Sequence, residues 1–299
     1  MSAHGQPLTF LGVGNMGLAA ILTLLQAGFP TTIWNRTLSR PQVTTATTAG
    51  ATLSPDIASA VSSNDTILIC LLDYPSILAS LSAVSLTGKT IINLTNGTPK
   101  QALAMRDWAK AKGARHYLDG AIMVTPQMVG GPQSFLVVSG EDEDAFAAVQ
   151  NVLSKLGTAQ YLGPDTTAAA RFDLAALATM YGMFAGGLVG MGLLKRGAGS
   201  SGKMAGVVKE GIAPFLMALV PYLGVIAEAW DEERWGDNLG NPLGMQLEGI
   251  KNIMAGCEDE GVDSALLGAL ARVMERAVDE FGGDVGLTVV GKLVMKNAE

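Results

Sequence analysis

Residues Gly12-Val13-Gly14-Asn15-Met16-Gly17 constrain the fold of this 299-residue chain more than any other stretch. They follow the apolar run 8–13, open an apolar-periodic segment over 16–27, and are answered by a second apolar run, 31–34, that leads into Asn35-Arg36-Thr37. Six residues of pattern alone are a weak signal, but strand, turn, helix and second strand in that order make a dinucleotide-binding unit. Gly12 allows the tight strand-to-helix turn, Gly14 the close approach of a pyrophosphate, and Gly17 the close packing of helix on strand. The phosphates then meet the helix N-terminus, where free N–H groups point outward.

The end of the second strand predicts which dinucleotide. A chain that reads the free ribose of NAD places Asp or Glu there, to accept from the 2′-hydroxyl. Here Asn35 and Arg36 stand in that place, with Arg40 one turn on, and guanidinium groups suit a 2′-phosphate in shape and charge. The expected cofactor is therefore NADPH. Its expected contacts are Gly12, Val13, Gly14, Asn15 and Met16, then Asn35, Arg36, Thr37 and Arg40, with Leu71 and Leu72 at the end of the apolar run 66–72.

An apolar fraction of 48% against 16% charged describes a globular chain with large cores and excludes a disordered or fibrous one. The chain is long enough for two domains. Cys70 and Cys257 lie far apart without metal-ligand spacing, which fits a reducing, cytoplasmic setting. The N-terminus lacks a basic region and its first apolar run is already the first strand, so no signal peptide is expected. Net charge is −7, with 9 basic and 9 acidic residues through Leu162 and 11 against 18 after it. The acidic surplus of the second half argues against nucleic acid as a partner.

Through residue 163 short apolar runs alternate with helical patterns: runs at 66–72, 90–94, 116–122, 134–138 and 160–162, helices at 56–62, 100–112 and 142–156. This predicts a doubly wound parallel sheet with extra strands, an α/β cofactor module over residues 1–163. From Pro164 the pattern is helical only. Pro164 and Asp165 give a start signal and the next proline is Pro214, so one long helix is expected over about 166–195, within an interdomain segment 164–196. A Gly- and Ser-rich break at 197–202 leads into an all-α domain, 197–299, with helices at 214–230, 243–257, 263–281 and 285–296.

Residues 174–194 carry no charge, 21 residues that could span a bilayer by length. Five glycines between Gly182 and Gly192 suit close helix packing instead, and a nucleotide fold precedes the helix, so the expectation is no membrane and a helix buried on all sides. At about 1.5 Å per residue the helix is roughly 45 Å long, more than one small domain can cover. A partner subunit is expected to cover the rest, which predicts an obligate dimer.

Histidine is scarce: His4 near the N-terminus and His116 in a strand. Serine-hydrolase and metal sites lack their partners. The long helix offers Asp173, the only carboxylate of its apolar portion, and Tyr181 eight residues on, about 80° around and about 12 Å along. Asp173 also reads as a helix-start carboxylate paired with Arg171, and Tyr181 as a packed aromatic.

Taken in order, the glycine turn, Asn35-Arg36-Thr37, Leu94-Thr95-Asn96-Gly97-Thr98-Pro99, Asp173 with Tyr181, and Met245-Gln246 resemble the NADPH-dependent imine reductases, the fungal reductive aminases in particular. These are relatives of the β-hydroxyacid dehydrogenases. The resemblance implies a Rossmann domain, a long interdomain helix and a helical C-terminal domain, intertwined in a homodimer. It implies that Asp173 transfers a proton and holds the amine, that Tyr181 supports it, and that Asn96 lies beside the nicotinamide ribose and the substrate. Ile122, Met123 and Leu177 would line the pocket, Met245 and Gln246 would enter from the partner subunit, and Phe215 would supply a bulky aromatic.

Charge separates this reading from the hydroxyacid relatives, which resemble one another in a lysine on the long helix and a Ser-Gly-Gly carboxylate anchor. No lysine occurs between Lys155 and Lys195, and the stretch matching the anchor is Gly120-Ala121-Ile122-Met123-Val124. Reducing a ketone leaves an alkoxide that needs a proton donor, whereas reducing an imine begins from a cationic iminium that a carboxylate favours. Reduction of imines, formed from apolar ketones or aldehydes and small amines, is the expected function. The alternatives are a carbonyl or β-hydroxyacid-type dehydrogenase, its acid drawn from Lys203 or Lys209, and a sensor or scaffold that binds NADPH without turnover.

Overall fold

A computed structural model of the chain describes residues 5–141, 143–196 and 203–295. The chain forms two compact units, Met1–Ala178 and Thr179–Glu299. The first unit runs β1 (Leu8–Leu11), α1 (Asn15–Gln26), β2 (Thr31–Trp34), α2 (Pro41–Thr48), β3 (Thr52–Leu53), α3 (Ile57–Ser63), β4 (Thr66–Ile69) and α4 (Tyr74–Leu81). It continues with β5 (Thr90–Asn93), α5 (Pro99–Ala111), β6 (His116–Ile122), β7 (Phe135–Ser139), α6 (Glu143–Leu156) and β8 (Thr158–Tyr161). One eight-stranded sheet results, in the order β3-β2-β1-β4-β5-β6-β7-β8.

The strands are apolar on both faces because helices cover both. Leu8, Phe10, Leu68 and Ile92 pack with Ile21 and Leu24 of α1 and Phe146 and Leu153 of α6. Leu11, Ile67, Ile69 and Ile91 face the other way, onto Val61 of α3, Ile77 and Leu81 of α4, and Met105 and Ala109 of α5. Each such side chain, fully buried, contributes about 1.5–3 kcal/mol.

The sheet is not wholly parallel: β7 runs antiparallel to β6, pairing Asp119 with Ser139 and Ile122 with Leu136. A parallel pair needs a crossover of a dozen or more residues, usually a helix, and a single 3₁₀ turn, Pro126–Met128, lies between these strands. β8 returns parallel to β7 through α6. Three elements between the predicted ones also appear, α2, β3 and α4. The last is announced by Asp73, whose carboxylate accepts from Ser76 N (2.8 Å), followed by a proline in the first turn.

The long helix α7 (Thr167–Arg196) begins where Asp165 accepts from both the N–H and the hydroxyl of Thr167. Its residues through Ala178 belong to the first unit and the remainder to the second. In the second unit α8 (Met204–Val207) passes through a π turn, Val208–Ile212, into α9 (Ala213–Asp231), and α10 (Leu243–Asp259), α11 (Ala265–Phe281) and α12 (Val290–Val294) follow. Leu243, Leu247 and Ile250 of α10 pack on Met274 and Ala277 of α11, at helical spacing. The predicted break at 197–202 lies outside the described residues, as does Lys296.

The helix expected over 285–296 is instead a 3₁₀ turn, Leu287–Val289, followed by the short α12. Thr288 explains the tight turn, since its hydroxyl donates to the carbonyls of Trp235 and Asp237 (3.0 Å each) while its own carbonyl accepts from Trp230 Nε1 (2.9 Å). The expectation of a helix buried on all sides is not met within one chain. Thr167–Arg196 and Met204–Asp231 are long and apolar enough to cross a membrane, and only 6% of the most apolar stretch of each is buried.

Candidate active site

The glycine turn falls at the C-terminal ends of β1 and β4, where open α/β sheets bind their ligands. Gly12 has φ +107°, a left-handed conformation that a side chain resists, and a Cβ there would run into the carbonyl of Cys70. A Cβ on Gly17 would run into the carbonyl of Gly12, so α1 sits directly against the turn. In front of Gly14 there is open space. That space belongs to a cavity of about 290 Å³ lined by Gly12, Gly14, Asn15, Met16, Asn35, Arg36, Thr37, Arg40, Leu71 and Leu72.

No side chain caps the N-terminus of α1 and its first turn holds no acidic residue, so its first N–H groups can meet an anion. Asn35 is buried and spends its side chain on the protein: Oδ1 accepts from Val13 N (3.0 Å) and Nδ2 donates to the Thr37 carbonyl (2.8 Å). It ties the second strand to the glycine turn and leaves the exposed Arg36 and Arg40 as the cationic groups of the cavity wall. Leu72 is 85% exposed at the rim. An open glycine turn, a free helix N-terminus and two arginines at the far end fit a dinucleotide carrying an extra phosphate.

Gly17 also lines this cavity, as do Cys70, Ser76 and Ser80, which the sequence did not single out as contacts. The serines lie four apart on α4 and so share one face, a spacing visible in the sequence once that helix is recognised. Burial pushes the Cys70 thiol up to about 11, which keeps it protonated at neutral pH.

The next strand end brings two of the predicted site residues together. Asn96 follows β5, and its Nδ2 donates to Asp173 Oδ2 at 2.6 Å, a contact across 77 residues of sequence. Asp173 is 7% exposed. Burial holds its carboxyl above the ordinary carboxylate range, and the Asn96 hydrogen bond pulls it part of the way back. Arg171 turns instead to Asp165 (3.5 Å), so pairing with Arg171 does not account for Asp173. Ile122 and Met123, at the end of β6, and Leu177 on α7 are half-buried in this unit.

In the second unit Tyr181 is 64% exposed and meets Phe184 edge-on (6.3 Å between ring centroids). Phe215 on α9 and Met245 on α10 are also exposed, and Gln246 donates through Nε2 to the Asn241 carbonyl (2.7 Å).

A nucleotide turn, and beside it a buried carboxylate held by an amide at the next strand end of the same sheet, define a pyridine-nucleotide oxidoreductase. Residues 7–164 match the NAD binding domain of 6-phosphogluconate dehydrogenase, and residues 165–296 match the NADPH-dependent reductive aminase-like C-terminal domain. The chain is 37% identical to an NADPH-dependent reductive aminase of Aspergillus oryzae, over 97% of this chain and 96% of that protein. This chain belongs to the NADPH-dependent reductive aminase family. It is similar in structure to a reductive aminase from Aspergillus terreus in complex with NADPH and ethyl levulinate (TM-score 0.89, 36% identity, 97% and 99% of the two chains). A complex of an Aspergillus terreus reductive aminase with NADPH4, cyclohexanone and allyl amine is equally similar (TM-score 0.89, 35% identity, 97% and 99% covered).

Proposed function

We propose that this chain reduces imines and iminium ions to amines with NADPH, and that it accepts them as the condensation products of apolar ketones or aldehydes with small amines. The observation that carries the reading is the buried Asp173, held by Asn96 at the strand end next to the nucleotide turn. NADPH, when bound, supplies the hydride. Gly12, Val13, Gly14, Asn15 and Met16 shape the turn that holds its pyrophosphate, Arg36 and Arg40 take its 2′-phosphate, and Asn35, Thr37, Leu71 and Leu72 complete the wall.

Asp173 accepts a proton from the incoming ammonium, returns it to the hydroxyl that leaves as water when the amine–carbonyl adduct collapses, and, a carboxylate again, favours the cationic iminium over the neutral imine. Its low exposure strengthens that attraction, because little water screens the pair. Asn96 keeps the carboxylate oriented, and Tyr181 orients the amine. Ile122, Met123 and Leu177 form an apolar wall that keeps out the water that would hydrolyse an imine.

We further propose a cofactor module over residues 1–163, an interdomain helix over 164–196 and a helical domain over 197–299. Two such chains form an intertwined homodimer, into whose site Met245 and Gln246 of the partner subunit reach. The bare apolar faces of the two long helices support a partner chain rather than a bilayer, because the unit that precedes them is a nucleotide fold. Two free cysteines fit a cytoplasmic setting.

A preformed cyclic imine tests the reaction without the condensation step. Purified enzyme is expected to oxidise NADPH with the imine and not with the cyclic ketone of the same ring size; turnover of the ketone alone would support a carbonyl reductase instead.

Asn96 sets the sign of a pH effect. Its hydrogen bond lowers the Asp173 pKa that burial raises, so in Asn96→Ala the carboxyl keeps its proton to higher pH. Activity needs the carboxylate, so the acidic limb of the kcat/KM profile is expected to move to higher pH in that variant. A profile in the wild-type position would separate Asn96 from Asp173.

A further inference from the structure

Under the turn that bears Asn96 lies a second buried carboxylate, one to which the mechanism assigns no proton. Asp119 on β6 stands in register beside Asn93, the last residue of β5. Its Oδ1 accepts from Tyr74 Oη (2.9 Å), Tyr117 Oη (2.9 Å) and Asn93 Nδ2 (3.1 Å). The Asn93 amide also donates to Tyr117 Oη (3.1 Å), while its Oδ1 accepts from Thr95 N (3.1 Å). Thr95 in turn accepts through Oγ1 from Leu71 N (3.1 Å). The Tyr74 ring lies so close to Gly97 that an added Cβ would run into it. Residues 95 and 97 are thus fixed from two directions, and the residue between them is Asn96.

We propose that Asp119 and Tyr74 are positioning residues for the reaction, holding the 93–97 turn so that Asn96 keeps its amide on Asp173. The inference rests on the reading of Asp173 as the proton-handling group. An apolar residue at position 119 would fill the space without the cost of burying a carboxyl group, so what Asp119 contributes is the convergence of three donors on one oxygen. Burial raises its pKa to about 6, with the three hydrogen bonds opposing. Both tyrosine hydroxyls are held above their ordinary range, chiefly by burial, and so remain donors at neutral pH.

A double-mutant cycle on the full-length enzyme separates positioning from mere support of the fold. Tyr74→Phe keeps the ring on Gly97 and deletes only the hydroxyl. Its expected effect is a fall in kcat of about fivefold with the NADPH Kd unchanged, the scale of one lost hydrogen bond. Asn96→Ala alone is expected to lower kcat by about tenfold, and adding Tyr74→Phe to it should change kcat by less than about twofold, because the group being positioned is already gone. Asp119→Leu, which removes the acceptor oxygen, should show the same loss in the wild-type background and the same absence of loss in Asn96→Ala, while Asp119→Asn, which retains that oxygen, should recover most of kcat. Equal losses in both backgrounds, or no loss in the wild type, would overturn the proposal while leaving the role of Asp173 standing. Full kcat in Asn96→Ala would also overturn the proposal, by removing Asn96 as the group to be positioned, whereas full kcat in Asp173→Ala would overturn the reading on which the proposal rests.

Discussion

Asp173→Ala is expected to lower turnover of an imine by about 10²-fold or more, the scale of a lost acid-base group, while NADPH binds as before. The separation follows from where the residue sits. Asp173 lies on α7, hydrogen-bonded to the turn after β5, whereas the nucleotide cavity is lined by the ends of β1, β2 and β4 and by α4. Steady-state kinetics and an NADPH titration by fluorescence check both halves. Asp173→Asn sharpens the result, since an amide can still meet Asn96 but carries neither charge nor exchangeable acid. If the effect comes from charge, Asn should be nearly as slow as Ala. A variant that loses NADPH affinity in proportion to turnover would show instead that Asp173 supports the shape of the site.

The second large effect concerns the cofactor. Arg36 and Arg40 are the cations of the cavity wall, and Asn35 is committed to Val13 and Thr37. Replacing both arginines with alanine is expected to weaken NADPH by about 10–100-fold, the worth of charge-assisted hydrogen bonds to a phosphate, and to leave NADH nearly unchanged. The effect should shrink as salt rises, because both arginines are solvent-exposed. Titrations with the two cofactors at two ionic strengths measure it. Equal loss for NADPH and NADH would place the arginines on a group common to both.

The nucleotide unit was legible because its signals are local. Gly12, Gly14 and Gly17 are demanded by the backbone and close packing of one short turn, and nothing distant can change that demand. The long helix was legible for the same reason, with a start signal at Asp165 and no proline before Pro214. Asp173 stood out as the one carboxylate in an apolar stretch, and Asn96 entered through the family resemblance, but nothing in the sequence pairs the two. Asn96 lies 77 residues away, and only the order of strands in the sheet brings the two together.

What the sequence hid depends on register and direction. The run ending in Phe135–Ser139 has the same composition whether it pairs parallel or antiparallel, and the missing crossover helix before it was the available clue. Asp119 lies within an apolar run, so it reads as an interruption of a strand. Its meaning comes from the pairing of Asn93 with Asp119 and from Tyr74, which arrives from a different element. For α7 alone the sequence leads to the expectation of a second subunit, because a long apolar helix exceeds what one small domain covers; the segment of α9 reads as one more helix of a bundle, and its exposed apolar side chains emerge only in the structure.

The most direct measurement is NADPH oxidation by the purified enzyme with cyclohexanone and a small primary amine together, against each alone and against NADH. Oxidation that requires both components and prefers NADPH is the predicted result. Equal oxidation with the ketone alone would contradict imine reduction and remove the role assigned to Asp173.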